Sequence, residues 1–445
     1  MSRRHDFVTE CLKQTRGRPF SFKVLGHSVT AFYGEKSRRR VLAEQGMDPN
    51  AAQRVLGIIP AFTEPDKEKQ AEGEALFEKR LLSLIHRDRL AEAIPSLLED
   101  SWVLCEEWGK KGVFDPFVAM YDVVFQMTAR VATCRDLYEN RQAVAQLQKN
   151  FLSLETNATS FSILFPWFPG PAQIGRLAAL ITIIRKFRKA TSTRRQASDM
   201  SGDGIDLLVS QGDDDGSIAG TLMGFMMAGT VNTGVMAAWA LLFLGSHPHW
   251  KERVVNEVKD LLNKHSDNIN TDPLPKRLSS VPLKAWEENL PFMDLVIRET
   301  VRLIMCGSAI RRNIGRDIEI EGVTIRTGEF ATYSLADAHL NPSIYANPND
   351  FDPERYLPGR EEDKKEAFAY IGWGAGRHPC IGMKLAILEM KLVLATVLLG
   401  FEWELVDRSG GHLKTIPAPA RNNLHTIRPL ENSCYMTLKS AKASS

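Results

Sequence analysis

Between Asp215 and His247 the chain reads GSIAGTLMGFMMAGTVNTGVMAAWALLFLGS, without one charged side chain. A segment this long and apolar has two stable homes. One is a bilayer, which roughly 20 apolar residues can span. The other is the middle of a large core, where a buried helix is apolar on all sides. Glycines, threonines and an asparagine interrupt the run, and its N-terminal flank carries Asp213, Asp214 and Asp215 rather than Lys or Arg. Hydropathy leaves both homes open. A chain of 445 residues can enclose such a helix.

The rest of the composition excludes more than it assigns. A net charge of +2 gives no global attraction to nucleic acid or anionic lipid, so no nucleic-acid partner is expected. Six widely separated cysteines with no CxxC pair do not form a disulfide framework and fit a reducing compartment. The first residues, MSRRHDFVTECLKQTRGRPFSFKVLG, hold no apolar run of signal-peptide or anchor type. Short apolar runs and turns over residues 20–60 predict strands, then a short helix. Helical periodicity dominates residues 74–190 and returns in PHWKERVVNEVKDLLNKHS and LPFMDLVIRETVRLIM. Short strands follow in RDIEIEGVTIRTGEF, and KLAILEMKLVLATVLLGF reads as a last helix. The predicted class is mainly α with small β-sheets. No linker is long enough to force a cut, so residues 1–445 are expected to form a single domain.

Chemistry concentrates at IGWGAGRHPCIGMKLA, Ile371 to Ala386. Cys380 sits between glycines and a helix start, where free N–H groups and the helix dipole favour a thiolate. Glycines let the backbone pass close to something flat. Arg377 and His378 can neutralise anions nearby. A soft thiolate among cations suits a haem iron and its propionates. A redox cysteine and a catalytic nucleophile are the competing readings, each wanting a nearby base or second thiol. Two further motifs precede it. Glu299 and Arg302 stand i,i+3 on one helix face. Arg355, in FDPERY, is placed to close a buried Glu299–Arg302–Arg355 network, a device better at fixing geometry than at adding stability.

Taken together, the ExxR helix at Glu299–Arg302, the PERY stretch at Pro353–Tyr356 and the cysteine loop at Trp373–Gly382 resemble the cytochrome P450 family, in order and spacing. The resemblance implies the helix-rich cytochrome P450 fold and haem b ligated by Cys380. It makes the uncharged run a central helix over the haem rather than a membrane span. It places His378 and Arg312 at the propionates, and Trp373, Gly374 and Gly382 in the cofactor loop. No WxxxR motif aligns on the early helices; Trp102 with Arg87 or Arg89 does not fit it.

Two departures bear on chemistry. Trp373 replaces the family's usual Phe. On the central helix the (A/G)Gx(D/E)T(T/S) pattern becomes AGTVNT: Ala228 and Gly229 keep the groove for a diatomic ligand, but Val231 stands at the acid position and Asn232 at the threonine position. The acid–alcohol pair that moves protons to the oxygen site is thus missing, and Thr233 lies about 100° further round the helix. The Trp-plus-Asn combination resembles the branch holding prostacyclin synthase and the sterol 7α- and 12α-hydroxylases, which contains hydroxylases and a reductase-independent isomerase.

The expected function is a haem-thiolate monooxygenase of a lipophilic small molecule, fed electrons from NADPH through a cytochrome P450 reductase. Asn232, Thr233 and Gly229 are the expected catalytic positions. Met227, Ala228, Val231, Ser308, Ala309 and Ile310 are expected in the substrate pocket. Lys384 and Lys391, seven residues apart on the last helix, share a face that reads first as ordinary solvated surface and second as a contact for the reductase. The rivals are an isomerase or dehydratase of the same fold that needs neither O2 nor reductase, and a haem sensor without turnover. Overall similarity points to filamentous-fungal enzymes of secondary metabolism. Such proteins sit on the cytosolic face of the endoplasmic reticulum, so the chain is expected to be anchor-truncated, with the apolar tip Phe165 to Pro171 as a second membrane contact.

Overall fold

The computed structural model describes residues 3–56, 67–159, 162, 165, 167–197, 202–266, 272–423 and 427–441. Nine helices position the site: α1 (Gly34–Ala43), α2 (Lys67–Leu84), α3 (Arg87–Lys111), α4 (Pro116–Ala132), α5 (Arg141–Thr156), α6 (Pro171–Gln196), α7 (Asp215–Ser246), α8 (Pro291–Ile304) and α9 (Met383–Gly400).

The uncharged run is α7. Asp214 starts it by accepting from the N–H groups of Gly216 and Ser217, with Asp215 in the first turn where a helix dipole favours acid. The helix is long and apolar enough to cross a membrane, yet its apolar side chains pack on protein: Trp239, Leu241 and Leu242 are wholly buried. The polar interruptions are satisfied inside. The hydroxyls of Thr221 and Thr230 donate to carbonyls one turn back, and the Trp239 indole donates to the Ile427 carbonyl at 2.6 Å. At Gly234 an added Cβ would lie 3.3 Å from the Tyr121 backbone, so glycine there lets α4 press against α7. Helices α6, α8 and α9 pack around the same axis.

Three small sheets complete the framework. The largest orders β1 (Phe20–Val24), β2 (His27–Phe32), β8 (Phe330–Ser334), β5 (Ser308–Asn313) and β3 (Met47–Asp48) side by side. Only the β2–β8 pair in it is parallel. The second orders β4 (Val113–Phe114), β10 (Tyr435–Ser440) and β9 (Phe401–Val406); the third pairs β6 (Ile318–Ile320) with β7 (Val323–Ile325).

Below α7, α8 carries a buried ion network. Glu299, Arg302 and Arg355 are each fully buried. The Glu299 carboxylate accepts from Arg302 Nε and Nη2 at 2.8 and 2.7 Å, and from Arg355 Nε at 3.0 Å. It also accepts from the Tyr356 hydroxyl at 2.8 Å and the Asp352 N–H at 3.1 Å. Glu362 takes the far side of Arg355 at 2.7 Å. Two acids and two arginines therefore close on one another without water. Removing one partner strands a buried charge, which destabilises by about 3–5 kcal/mol. Glu299→Ala is expected to lower the unfolding free energy in urea by about that amount; a loss under about 1 kcal/mol, the range of exposed pairs, would contradict a buried network.

Candidate functional site

From the ion network one link runs directly to the cysteine loop. Arg302 Nη1 donates to the His339 carbonyl at 2.5 Å. The His339 ring, wholly buried, donates from Nδ1 to the Met305 carbonyl at 2.8 Å and accepts at Nε2 from the Ile371 N–H at 3.0 Å. Those partners fix one neutral tautomer. Burial, aided by the Arg302 charge, pushes its pKa down to about 3, so the ring keeps that tautomer across the physiological range. His339 thus ties the end of α8 to the first residue of the loop, a role sequence reasoning missed.

The loop then folds on itself. Gly374 N–H donates to the Ile371 carbonyl at 3.1 Å, and Cys380 N–H to the Trp373 carbonyl at 2.7 Å. Gly374 has φ +74° and Gly376 φ +68°, backbone that side chains rarely adopt. A Cβ at Gly374 would fall 2.7 Å from the His378 carbonyl, and one at Gly376 would strike the Leu42 carbonyl of α1. A Cβ at Gly382 would meet no protein atom, since that residue faces the cavity. The result presents the Cys380 sulfur to a cavity, and Met383 N–H donates to the Cys380 carbonyl at 3.4 Å. Burial raises the thiol's pKa above its ordinary value, while the nearby Gly382 and Met383 N–H groups pull it down.

The cavity holds 470 Å³. Phe77 and Leu81 of α2 and Ile85 just after it form one wall, and Val301 and Met305 another. Ala228, Gly229, Asn232, Thr233 and Met236 of α7 face Cys380, Trp373, Gly374, His378 and Gly382 across it. Asn232 and Thr233 both reach this wall despite their angular offset.

Other expected residues lie elsewhere. Val231 faces a second cavity on the opposite side of α7, because one helical step turns it about 100° from Asn232. Met227 packs against the main core. Ser308, Ala309 and Ile310 are strand residues of β5, paired with β8; Ala309 and Ile310 pack in the sheet's own apolar clusters and Ser308 is exposed. None of the five lines the Cys380 cavity. Lys391 is buried, held by Asp294 at 2.7 Å and the Trp286 carbonyl at 2.9 Å, and so is not open to a partner; Lys384 is exposed. In α2, Arg80 is bound to Asp213 through both nitrogens.

Arg312 is a one-residue error of register. Successive strand residues point to opposite faces. Arg312 Nε donates to the Gly328 carbonyl at 3.3 Å, with its guanidinium over the Phe330 ring. Arg311 is the buried one: its Nη1 donates to its own neighbour's carbonyl, and its Nε has no partner. His378 feels it, since burial and then the Arg311 charge lower that histidine's pKa.

Glu389 was not anticipated at all. It lies two turns beyond Gly382 on α9, wholly buried, and lines the cavity. Oε1 accepts from the Thr128 hydroxyl at 3.2 Å and Oε2 has no partner. Burial, opposed only by that bond, raises its pKa well above its ordinary value, which favours the protonated form.

The profile of the cytochrome P450 family matches residues 2–421. This chain belongs to the cytochrome P450 family. Its curated relatives include cytochrome P450 monooxygenase AacuE of Aspergillus aculeatus, 29% identical over 91% of this chain and 83% of the relative. Cytochrome P450 monooxygenase dmxR5 of Cryptosporiopsis sp. is 26% identical over 92% and 81%. Among solved structures, retinoic-acid-bound cyanobacterial CYP120A1 matches with a TM-score of 0.76 at 20% identity, covering 97% of this chain and 94% of that one; this likeness concerns the fold.

A P450 haem fits the residues present. The sulfur faces a largely apolar chamber of 470 Å³, and the charge of buried Arg311, whose Nε has no partner among the described residues, reaches His378 on its wall and suits a carboxylate there. A charge-assisted hydrogen bond contributes about 1.5–3 kcal/mol, so Arg311→Met is expected to weaken haem retention about tenfold or more, whereas Arg312→Met keeps it; equal loss from both would restore the first assignment. Glu389 gives a pH test. Its folded pKa lies above its unfolded one, so its contribution favours folding at low pH and is lost as pH rises above the carboxylate range. Glu389→Gln is expected to match the parent near about pH 4 and to exceed its stability at about pH 8, read from urea midpoints at both values.

Proposed function

We propose that this P450 is a haem-thiolate monooxygenase that oxidises a lipophilic small molecule of fungal secondary metabolism. The observation that carries the reading is the facing of Cys380 by Ala228, Gly229, Asn232 and Thr233 across one apolar chamber. The relatives named as monooxygenases support it. When bound through Cys380, haem supplies oxygen activation, and thiolate ligation favours O–O cleavage. The chain's own residues do the rest. The Gly382 and Met383 N–H groups near Cys380 favour its thiolate. His378 and Arg311 would hold the propionates. Phe77, Leu81, Phe225 and Met236 exclude water and favour an apolar substrate. Asn232 offers an amide, and Thr233 a hydroxyl, to an oxygen ligand or its water; neither is an acid.

Electrons come from NADPH through a reductase that docks near the exposed Arg377 and Lys384. The protein works at the cytosolic face of the endoplasmic reticulum. Supporting a membrane contact, Phe165, Trp167 and Phe168 are exposed at one tip, Trp167 at 77%, and Ile174, Leu177 and Ile181 continue the patch along α6; Pro166 lies outside the described residues. The isomerase reading retains one supporting observation: among the described residues, α7 brings no carboxylate to the cavity.

Cys380→Ala is expected to abolish the red-shifted carbon monoxide band of thiolate-ligated haem. Product formation is expected to require both O2 and NADPH; turnover under strict anaerobiosis without NADPH would establish the isomerase reading instead. Asn232→Thr is expected to keep the haem and raise the ratio of product to released hydrogen peroxide, since a threonine hydroxyl can relay a proton. An unchanged ratio removes Asn232 from oxygen handling.

A further inference from the structure

The second cavity, where Val231 emerges, is a cleft of 320 Å³ open to the surface at Val118 and Leu152, between α4, α5 and the far face of α7. Its wall is chiefly apolar: Phe117 and Val118 of α4, Leu152 of α5, Val231 and Val235 of α7. Two polar groups break that surface. The Tyr121 hydroxyl is buried and, among the described residues, has no hydrogen-bond partner. Glu155 lines the same space, and among the described residues nothing bonds its carboxylate. Burial pushes it up to about 7, and Glu155 in turn raises the Tyr121 pKa, so the two groups sense each other without touching.

The remaining charges around the cavity are engaged or peripheral. Asp122 accepts from Gln148, Arg428 is paired with Asp115 at 2.6 Å, and Lys149 is exposed at the rim. A buried polar atom left unpaired costs free energy unless something fills the gap. Size, apolar wall and two convergent polar groups are the usual makings of a small-molecule site.

We propose that this cavity is an accessory binding site, separate from the haem chamber, for a compact lipophilic alcohol or phenol. One hydroxyl satisfies both groups: it accepts from the Tyr121 O–H and donates to the Glu155 carboxylate. The hydrocarbon body lies against Phe117, Leu152 and Val235. The central helix is then a partition with a ligand on each side.

The probe is 2-naphthol, titrated by fluorescence and saturation-transfer NMR into holoenzyme whose haem chamber is filled by a bulky iron-ligating azole. One equivalent is expected to bind. Naphthalene, which lacks the hydroxyl, is expected to bind at least about tenfold more weakly, as are Tyr121→Phe and Glu155→Ala with 2-naphthol, because each deletes one hydrogen bond to a buried partner. Val231→Trp fills the space and is expected to abolish binding. Carbon monoxide spectra of all variants verify their fold. Absence of binding, equal affinity for naphthalene, or wild-type affinity in both polar variants would overturn the site and leave water as the occupant.

Discussion

Glu299 has no access to water, and everything around the cysteine depends on how its charge is answered. Five donors converge on one carboxylate, from α8, from the PERY turn and from the backbone before it. Such a cluster contributes little net stability against an apolar equivalent, but it is intolerant of displacement. Arg302 passes that rigidity to the His339 carbonyl, and the His339 ring passes it to Ile371. The loop that begins there contains two glycines in left-handed conformation and cannot be held by side-chain packing at those points. Its position is inherited from a network that never touches the cavity.

The central helix supplies the opposite wall and divides two chambers. Its phase decides the chemistry. Positions 228, 229, 232, 233 and 236 open to the sulfur; positions 231 and 235 open to Tyr121 and Glu155. An acid at 231 would therefore not have stood in the Cys380 cavity. It would have stood in the second one, opposite Glu155. The valine lets that second cavity have an apolar floor and leaves Glu155 without a second carboxylate from α7 facing it.

What the sequence made legible was whatever depends on short spacing. The uncharged run, the i,i+3 pair of Glu299 and Arg302, and the glycines fencing Cys380 are local patterns, and each names its own geometry. The helical class, the small sheets and the family follow from them. The residues misplaced are those whose direction hangs on a single step. In β5 one residue separates Arg311 from Arg312, and a strand's faces alternate with every step. In α7 one residue separates Asn232 from Val231. Counting from a motif fixes distance along the chain but not which face a side chain takes. The residues missed altogether, His339 and Glu389, carry roles made by contacts distant in sequence: 32 residues from His339 to Ile371, 261 from Glu389 to Thr128. No periodicity marks such pairs.

Glu389 also completes the electrostatics of the main chamber. It is the single carboxylic side chain on the described wall, and burial keeps it neutral. Arg311 is buried and does not line the chamber, but its charge reaches His378, which does. The wall between Glu389 and His378 is chiefly apolar. An ionised Glu389 would sit against that apolar wall, where the described lining residues supply no counter-charge, at a desolvation cost. Thr128 offers one hydrogen bond, enough for a neutral acid and too little for a carboxylate. The same hydroxyl-bearing side chain places its methyl 3.2 Å from where a Cβ on Gly229 would sit, so one residue of α4 both lines the groove on α7 and hydrogen-bonds Glu389.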